Sequence, residues 1–154
     1  MKVILNLPEF NIKTRVSGDK EQVWDSIRMQ WLILTPEEWV RQNFIRYMTD
    51  YKGVDPLFIK QELNIRLNDT LKRPDIVIYG KDASPKMIIE CKAPGVKITK
   101  ETLEQASRYN MVLGVPFIAV TNGIKHYCFL FDKSLGSAAR LDDFPTYGEI
   151  CKTE

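Results

Sequence analysis

A chain of 154 residues, 44% hydrophobic and 27% charged, is long enough to bury one core without staples and too short for several ordinary domains. The net charge of +2 permits a nucleic-acid partner but excludes the broad attraction of a strongly basic chain. Three separated cysteines, Cys91, Cys128 and Cys151, with no CxxC pair argue against a disulfide scaffold and a structural zinc site, so a reducing cytoplasm is the expected setting.

The opening MKVILNLPEF has too short an apolar run for a secretory signal, and no later stretch reaches membrane-spanning length. Residues 10–34 read as strand material, FNIKTRV and WDSIRMQWLIL, around a polar turn, SGDKEQ. TPEEWVRQNFIRYM then predicts a helix. Thr35 is its N-cap, Pro36 its first residue and Glu38 the third, a capping box, with Val40, Phe44, Tyr47 and Met48 forming an apolar face.

From Phe58 to Asn68 the period changes to two, which predicts one half-exposed strand. DTLKR is a turn leading to the strand PDIVIYG, KDAS a second turn, and PKMIIECKAP another strand. TKETLEQASRYNMVLG predicts a helix capped by Thr99 and ended by Gly114, with Leu103, Ala106, Asn110 and Leu113 on one face. VPFIAVT and KHYCFLFD are strands joined at Asn122-Gly123, and the closing CKTE should fray. The helix between the PKMIIECKAP and VPFIAVT strands is long enough for a crossover joining parallel neighbours, so the class is α/β with a mixed sheet.

Charges at strand ends are the feature that ordinary packing leaves unexplained. Alternation puts Glu90 and Lys92 on one side and Cys91 on the other. If PDIVIYG and KMIIECK form a hairpin, Asp75 lies across from Glu90. Two such carboxylates repel unless a cation separates them, and Mg²⁺ favours oxygen ligands of this kind, with the Cys91 backbone carbonyl available as a third. Mn²⁺ would serve equally. Lys92 would orient a water or offset developing charge. Gln105 and Tyr109, four residues apart, share a helical face outside the apolar stripe, where they could meet a phosphate, a bound water or nucleic acid.

PDIVIYG…MIIECK followed by EQASRY resembles the PD-(D/E)xK nuclease superfamily, in its RecB-like branch with the Q-x-x-x-Y helix motif. TPEEWVRQ, ELNIRL, IIECKAP and VPFIAVTNG make the chain most similar to the N-terminal nuclease domain of type I restriction enzyme R (HsdR) subunits, over about residues 24–131. The resemblance implies a restriction-endonuclease-like fold, a central mixed β-sheet flanked by helices. It implies one nuclease-like domain over 1–154, with a core of about 35–131 and residues 1–34 as an N-terminal strand extension. It also implies Mg²⁺-dependent hydrolysis of DNA, with Asp75 and Glu90 as metal ligands and Lys92, Gln105 and Tyr109 completing the site. A further glutamate from the first helix, Glu37 or Glu38, belongs near the metal in such nucleases. Glu38 already has a capping role, and Glu37 stands four residues before Arg41 for an ion pair. Glu62 has a polar face toward the same cleft.

No G-x-x-x-x-G-K-[ST] loop occurs in the sequence, so DNA translocation would need another chain, a translocase or specificity subunit. A homodimer would let two sites cut two strands. A different class of function is a nuclease-fold module that binds nucleic acid or a partner protein with little turnover. Of the remaining features, His126 reads as an exposed strand residue and Cys91 as packing. Trp24, Trp31 and Trp39 read as a small core or a dimer contact. Lys72, Arg73, Lys97 and Lys100 flank the site and could meet phosphates. DDFPTYGEI would cap the sheet or dock on a second subunit.

Overall fold

The computed structural model of the protein describes residues 2–67, 69–132 and 134–153. Near the N-terminus, β1 (Thr14–Ser17), β2 (Lys20–Asp25) and β3 (Gln30–Ile33) form an antiparallel meander. Lys20 to Gln22, read as turn, are strand, and the run from Trp24 to Leu34 breaks after Asp25. The cause is local. The Asp25 carboxylate accepts the N–H groups of Ile27 at 3.0 Å and Arg28 at 3.1 Å, an Asx turn that bends the chain away.

Helix α1 (Pro36–Asp50) begins as expected, Thr35 accepting the Glu38 N–H at 3.0 Å. The other half of the capping box is replaced. The Glu38 carboxylate takes Arg41 Nε at 2.9 Å and Gln42 Nε2 at 3.0 Å, because a charge-assisted bond to a guanidinium is stronger than one to a neutral backbone N–H. A short 3-10 turn (Pro56–Phe58) leads into β4 (Ile59–Gln61). The single strand expected from Phe58 to Asn68 stops there, since Glu62 takes φ 51°, a left-handed conformation that ends a ladder. After the break, β5 (Ile65–Leu67) pairs with β6 (Thr70–Lys72), so DTLKR is largely strand and not turn; Asn68 lies outside the described residues.

Strands β7 (Ile76–Tyr79), β8 (Pro85–Cys91), β9 (Phe117–Thr121), β10 (His126–Asp132) and β11 (Ser137–Leu141) build the main sheet, in the order β11-β10-β9-β8-β7-β4. Helix α2 (Lys100–Leu113) joins β8 to β9, which are parallel; the other neighbours are antiparallel. Both faces of this sheet are buried, which is why its central strands read as unbroken apolar runs. Ile76, Ile78, Ile89, Cys91, Ala119 and Cys128 pack with Val40, Phe44 and Met48 of α1. Ile88, Ile118 and Val120 pack with Ala106 and Tyr109 of α2 and with Ile65. This is the α/β restriction-endonuclease-like architecture, a central mixed sheet flanked by helices.

The β9–β10 hairpin closes through Gly123, at φ 84°, where an added Cβ would stand 2.7 Å from Leu5 Cδ2. That close approach is part of an N-terminal strap. Asn6 N–H donates to Gly123 O at 2.7 Å, Trp39 Nε1 donates to Val3 O at 2.9 Å, and His126 Nε2 lies 2.8 Å from Asn6 O. His126, expected to be exposed, is therefore half-buried and holds the strap. Trp39 is buried in α1, while Trp24 and Trp31 pair edge to face across β2 and β3 at 5.2 Å.

Two elements have no counterpart in the sequence reading. β11 is an exposed edge strand without an apolar face. The six-residue α3 (Tyr147–Lys152) is too short to show a period, although Thr146 and Glu149 give it a reciprocal cap; CKTE is thus helical through Lys152, with Glu154 outside the described residues. DDFPTYGEI caps its own sheet. Phe144 meets Phe44 edge to face at 4.9 Å, and Tyr147 Oη donates to Tyr79 O at 2.9 Å.

Candidate functional site

The β7–β8 register pairs Ile76 with Ile89, which sets Asp75 opposite Glu90 one step further on. The two carboxylates meet through the backbone. Asp75 N–H donates to Glu90 Oε1 at 3.2 Å, and Cys91 N–H donates to Asp75 Oδ2 at 2.7 Å. Burial holds both carboxyls above the usual carboxylate range, Glu90 further than Asp75, and repulsion from Asp75 adds to the effect at Glu90. At Asp75 the Cys91 N–H and the Arg41 charge oppose the rise.

Arg41 reaches in from α1, its guanidinium nearly buried. It is held by Glu38 through Nε, lies 3.2 Å from Glu62 Oε1 and 3.8 Å from Asp75 Oδ1, and among the described residues its Nη1 has no hydrogen-bond partner. The Glu37–Arg41 pair expected from their spacing gives way to this arrangement. Glu37 is exposed, and its charge adds a little to the rise at both Asp75 and Glu90, whereas Glu38 is committed to Arg41 and Gln42. Glu62 belongs to the same neighbourhood. Its N–H donates to Asp75 O at 3.1 Å, and its second oxygen takes Arg28 Nη1 at 2.9 Å. Arg28 in turn binds the fully buried Asp25 at 2.7 Å.

Lys92 is half-buried beyond the end of β8, its N–H on Thr121 O at 2.8 Å. Among the described residues its ammonium has no carboxylate within 4 Å, although its charge acts on both Asp75 and Glu90. Gln105 is exposed. Tyr109 is not on the polar side of α2 as expected but buried in the second core cluster, because the crossover lays that turn of the helix over Ile88. Burial raises the Tyr109 phenol, and the charges of Glu90 and then Asp75 raise it further, so its polar end still feels the acidic pair. Arg73, Lys97 and Lys100 are exposed and Lys72 is half-buried.

The divalent cation implied by the motif fits these donors in kind. Hard oxygens and negative charge are crowded into a desolvated place, and Asp75 Oδ1 and Glu90 Oε2 take no backbone N–H. In number the protein supplies less. Among the described residues no group of three or more His, Cys, Asp or Glu forms a metal-binding cluster. Further ligands would have to be a backbone carbonyl such as that of Cys91, water and substrate oxygens.

The sequence reading missed Arg41 as a neighbour of the pair, and Asp25 and Arg28 behind it. A visible signal was the Glu38–Arg41 spacing, which allows an i,i+3 pair as readily as Glu37–Arg41 allows i,i+4. Nothing in the sequence showed that Glu62 would turn left-handed and bring its carboxylate to Arg41.

The motifs and geometry have known counterparts. The Type I restriction enzyme EcoAI endonuclease subunit of Escherichia coli is 36% identical over 88 residues, covering 53% of this chain and 10% of that protein. A fragment described as an HsdR subunit of a type I restriction enzyme from Vibrio vulnificus YJ016 shares the fold, with a TM-score of 0.57 and 23% identity over 77% of this chain and 25% of that one. The chain thus spans a small part of these relatives. The family profile "Type I restriction enzyme R protein N terminus (HSDR_N)" matches residues 36–145, most of the chain, including Arg41, Glu62, Asp75, Glu90 and Lys92 but not Asp25 and Arg28, and the chain belongs to that family.

Proposed function

We propose that this nuclease-fold module cleaves DNA phosphodiester bonds with Mg²⁺ or Mn²⁺ held by Asp75, Glu90 and the Cys91 carbonyl. One observation carries the reading: Asp75 and Glu90 converge at a buried strand end where burial first, and their mutual repulsion at Glu90, hold both carboxyls above their ordinary values. A bound divalent ion would supply an acidified water and neutralise phosphate charge. Lys92, nearby and without an ion-pair partner among the described residues, would orient that water or offset charge on the phosphorus. Glu37 would add a carboxylate at the mouth, and Gln105, exposed on α2, would touch a phosphate or water. Tyr109 would support the pair from below. DNA translocation and site choice would come from outside these 154 residues.

A second reading rests on its own observation. With no metal-binding cluster of three or more His, Cys, Asp or Glu among the described residues and Arg41 beside Asp75, the module could bind nucleic acid or a partner subunit with little turnover. Incubating DNA with the purified chain, with and without Mg²⁺ or Mn²⁺, separates the two. The hydrolytic reading expects cation-dependent cutting that falls at least ~100-fold in D75A and K92A while circular dichroism stays unchanged. Cation-independent DNA binding without cutting on any substrate form would leave the binding module standing instead.

A further inference from the structure

Arg41 is, among the described residues, the cation within 4 Å of an oxygen of the acidic pair, and its contacts are unequal. Nε and Nη2 are committed to the two oxygens of Glu38. Among the described residues Nη1 makes no hydrogen bond, although the side chain is only 9% exposed; it faces Glu62 Oε1 at 3.2 Å and Asp75 Oδ1 at 3.8 Å. The Asp75 distance is too long for a hydrogen bond and short enough for strong Coulomb attraction in a desolvated place. Asp75 Oδ1 is also the oxygen of that carboxylate not taken by the Cys91 N–H.

We propose that Arg41 is a positioning residue that acts as an internal counter-ion, steadying Asp75 Oδ1 and competing with a divalent cation for it. Glu38 and Glu62 set how strongly it competes. They hold the guanidinium back from Asp75, and Glu62 is itself held by Arg28 at 2.9 Å. The competition tunes cation affinity without Arg41 touching substrate. This inference rests on the cation-binding reading of the site and goes beyond it by naming what opposes the cation.

The test is calorimetric titration of Mn²⁺ into the DNA-free chain. Arg41→Gln removes the competitor and leaves Asp75 Oδ1 without its neighbouring guanidinium, so Mn²⁺ affinity should rise roughly tenfold. Arg41→Lys keeps the charge and should stay close to wild type. Glu62→Gln frees Arg41 to turn toward Asp75 and should weaken Mn²⁺ binding, by less in the Arg41→Gln background than in the wild type. A merely structural Arg41 would instead give weaker binding in Arg41→Gln, together with a lower melting temperature, and that result overturns the proposal. If Arg41→Gln does not fold, the Glu62→Gln and Arg41→Lys titrations decide. Unchanged or tighter binding in Glu62→Gln counts against the proposal, and weaker binding with Arg41→Lys at the wild-type level supports it. Wild-type protein that binds no Mn²⁺ would bring down the cation site itself, whereas a wild type that binds and variants that do not shift would remove only the role of Arg41.

Discussion

Asp75 and Glu90 sit 14% and 6% exposed at the end of a hairpin, a poor place for two negative charges. Folding pushes their carboxyls up, so between the ordinary glutamate value of 4.5 and the raised values the folded chain binds more protons than the unfolded one. The sign follows: the pair's unfavourable contribution is smallest at low pH and grows as pH rises through that window. Without a divalent cation, Glu90→Gln should therefore stabilise the protein at neutral pH by about 1–2 kcal/mol and flatten the pH dependence of its melting temperature. A melting temperature lowered by Glu90→Gln at pH 7 would contradict this account. Saturating Mg²⁺ should stabilise the wild type and leave Glu90→Gln nearly unaffected, because linkage acts only where the cation binds.

The elements carrying the site are held by short-range chemistry. Gly123 combines φ 84° with a position where a Cβ would meet Leu5 Cδ2 at 2.7 Å and Val40 Cγ2 at 3.1 Å. Gly123→Ala should cost about 2 kcal/mol by thermal or urea unfolding, well beyond an ordinary surface change. The same strap is pH-sensitive in the opposite sense to the carboxyl pair. Burial holds His126 below its usual value of 6.5, so the strap's contribution is present above that value and declines as pH falls beneath it. The protection factor of the Asn6 amide, whose N–H donates to Gly123 O, should fall on acidification from about pH 7.5 to 5.5 once the slower intrinsic exchange is divided out, and fall more than those of β8. Where single elements were legible in the sequence, the reason was local. Thr35-Pro36 and Thr99 cap helices through side-chain oxygens, and the helix ended by Gly114 stops in a left-handed residue at φ 60°. Asp25 and Glu62 broke expected strands through an Asx turn and a left-handed backbone, which a period-two count does not register.

For the whole molecule, the central strands β8 and β9 are buried on both faces, while β11 forms an exposed edge. Hydrogen exchange should be slowest in β8 and β9 and fast in β11; uniform protection across the sheet would argue against this layering. The crossover through α2 brings Tyr109 beneath the acidic pair, and the N-terminal meander reaches the site through the contacts Asp25–Arg28–Glu62–Arg41. By itself the sequence determined the mixed α/β sheet, the starts of α1 and α2 and the convergence of Asp75 with Glu90, because strand period, caps and one hairpin turn are short-range properties. Tertiary structure alone decided that Arg41 faces Asp75, that Glu38 is committed while Glu37 stays exposed, and that Tyr109 is buried. Those outcomes depend on which distant charges and apolar faces meet when the helices close on the sheet, and no local period encodes that meeting.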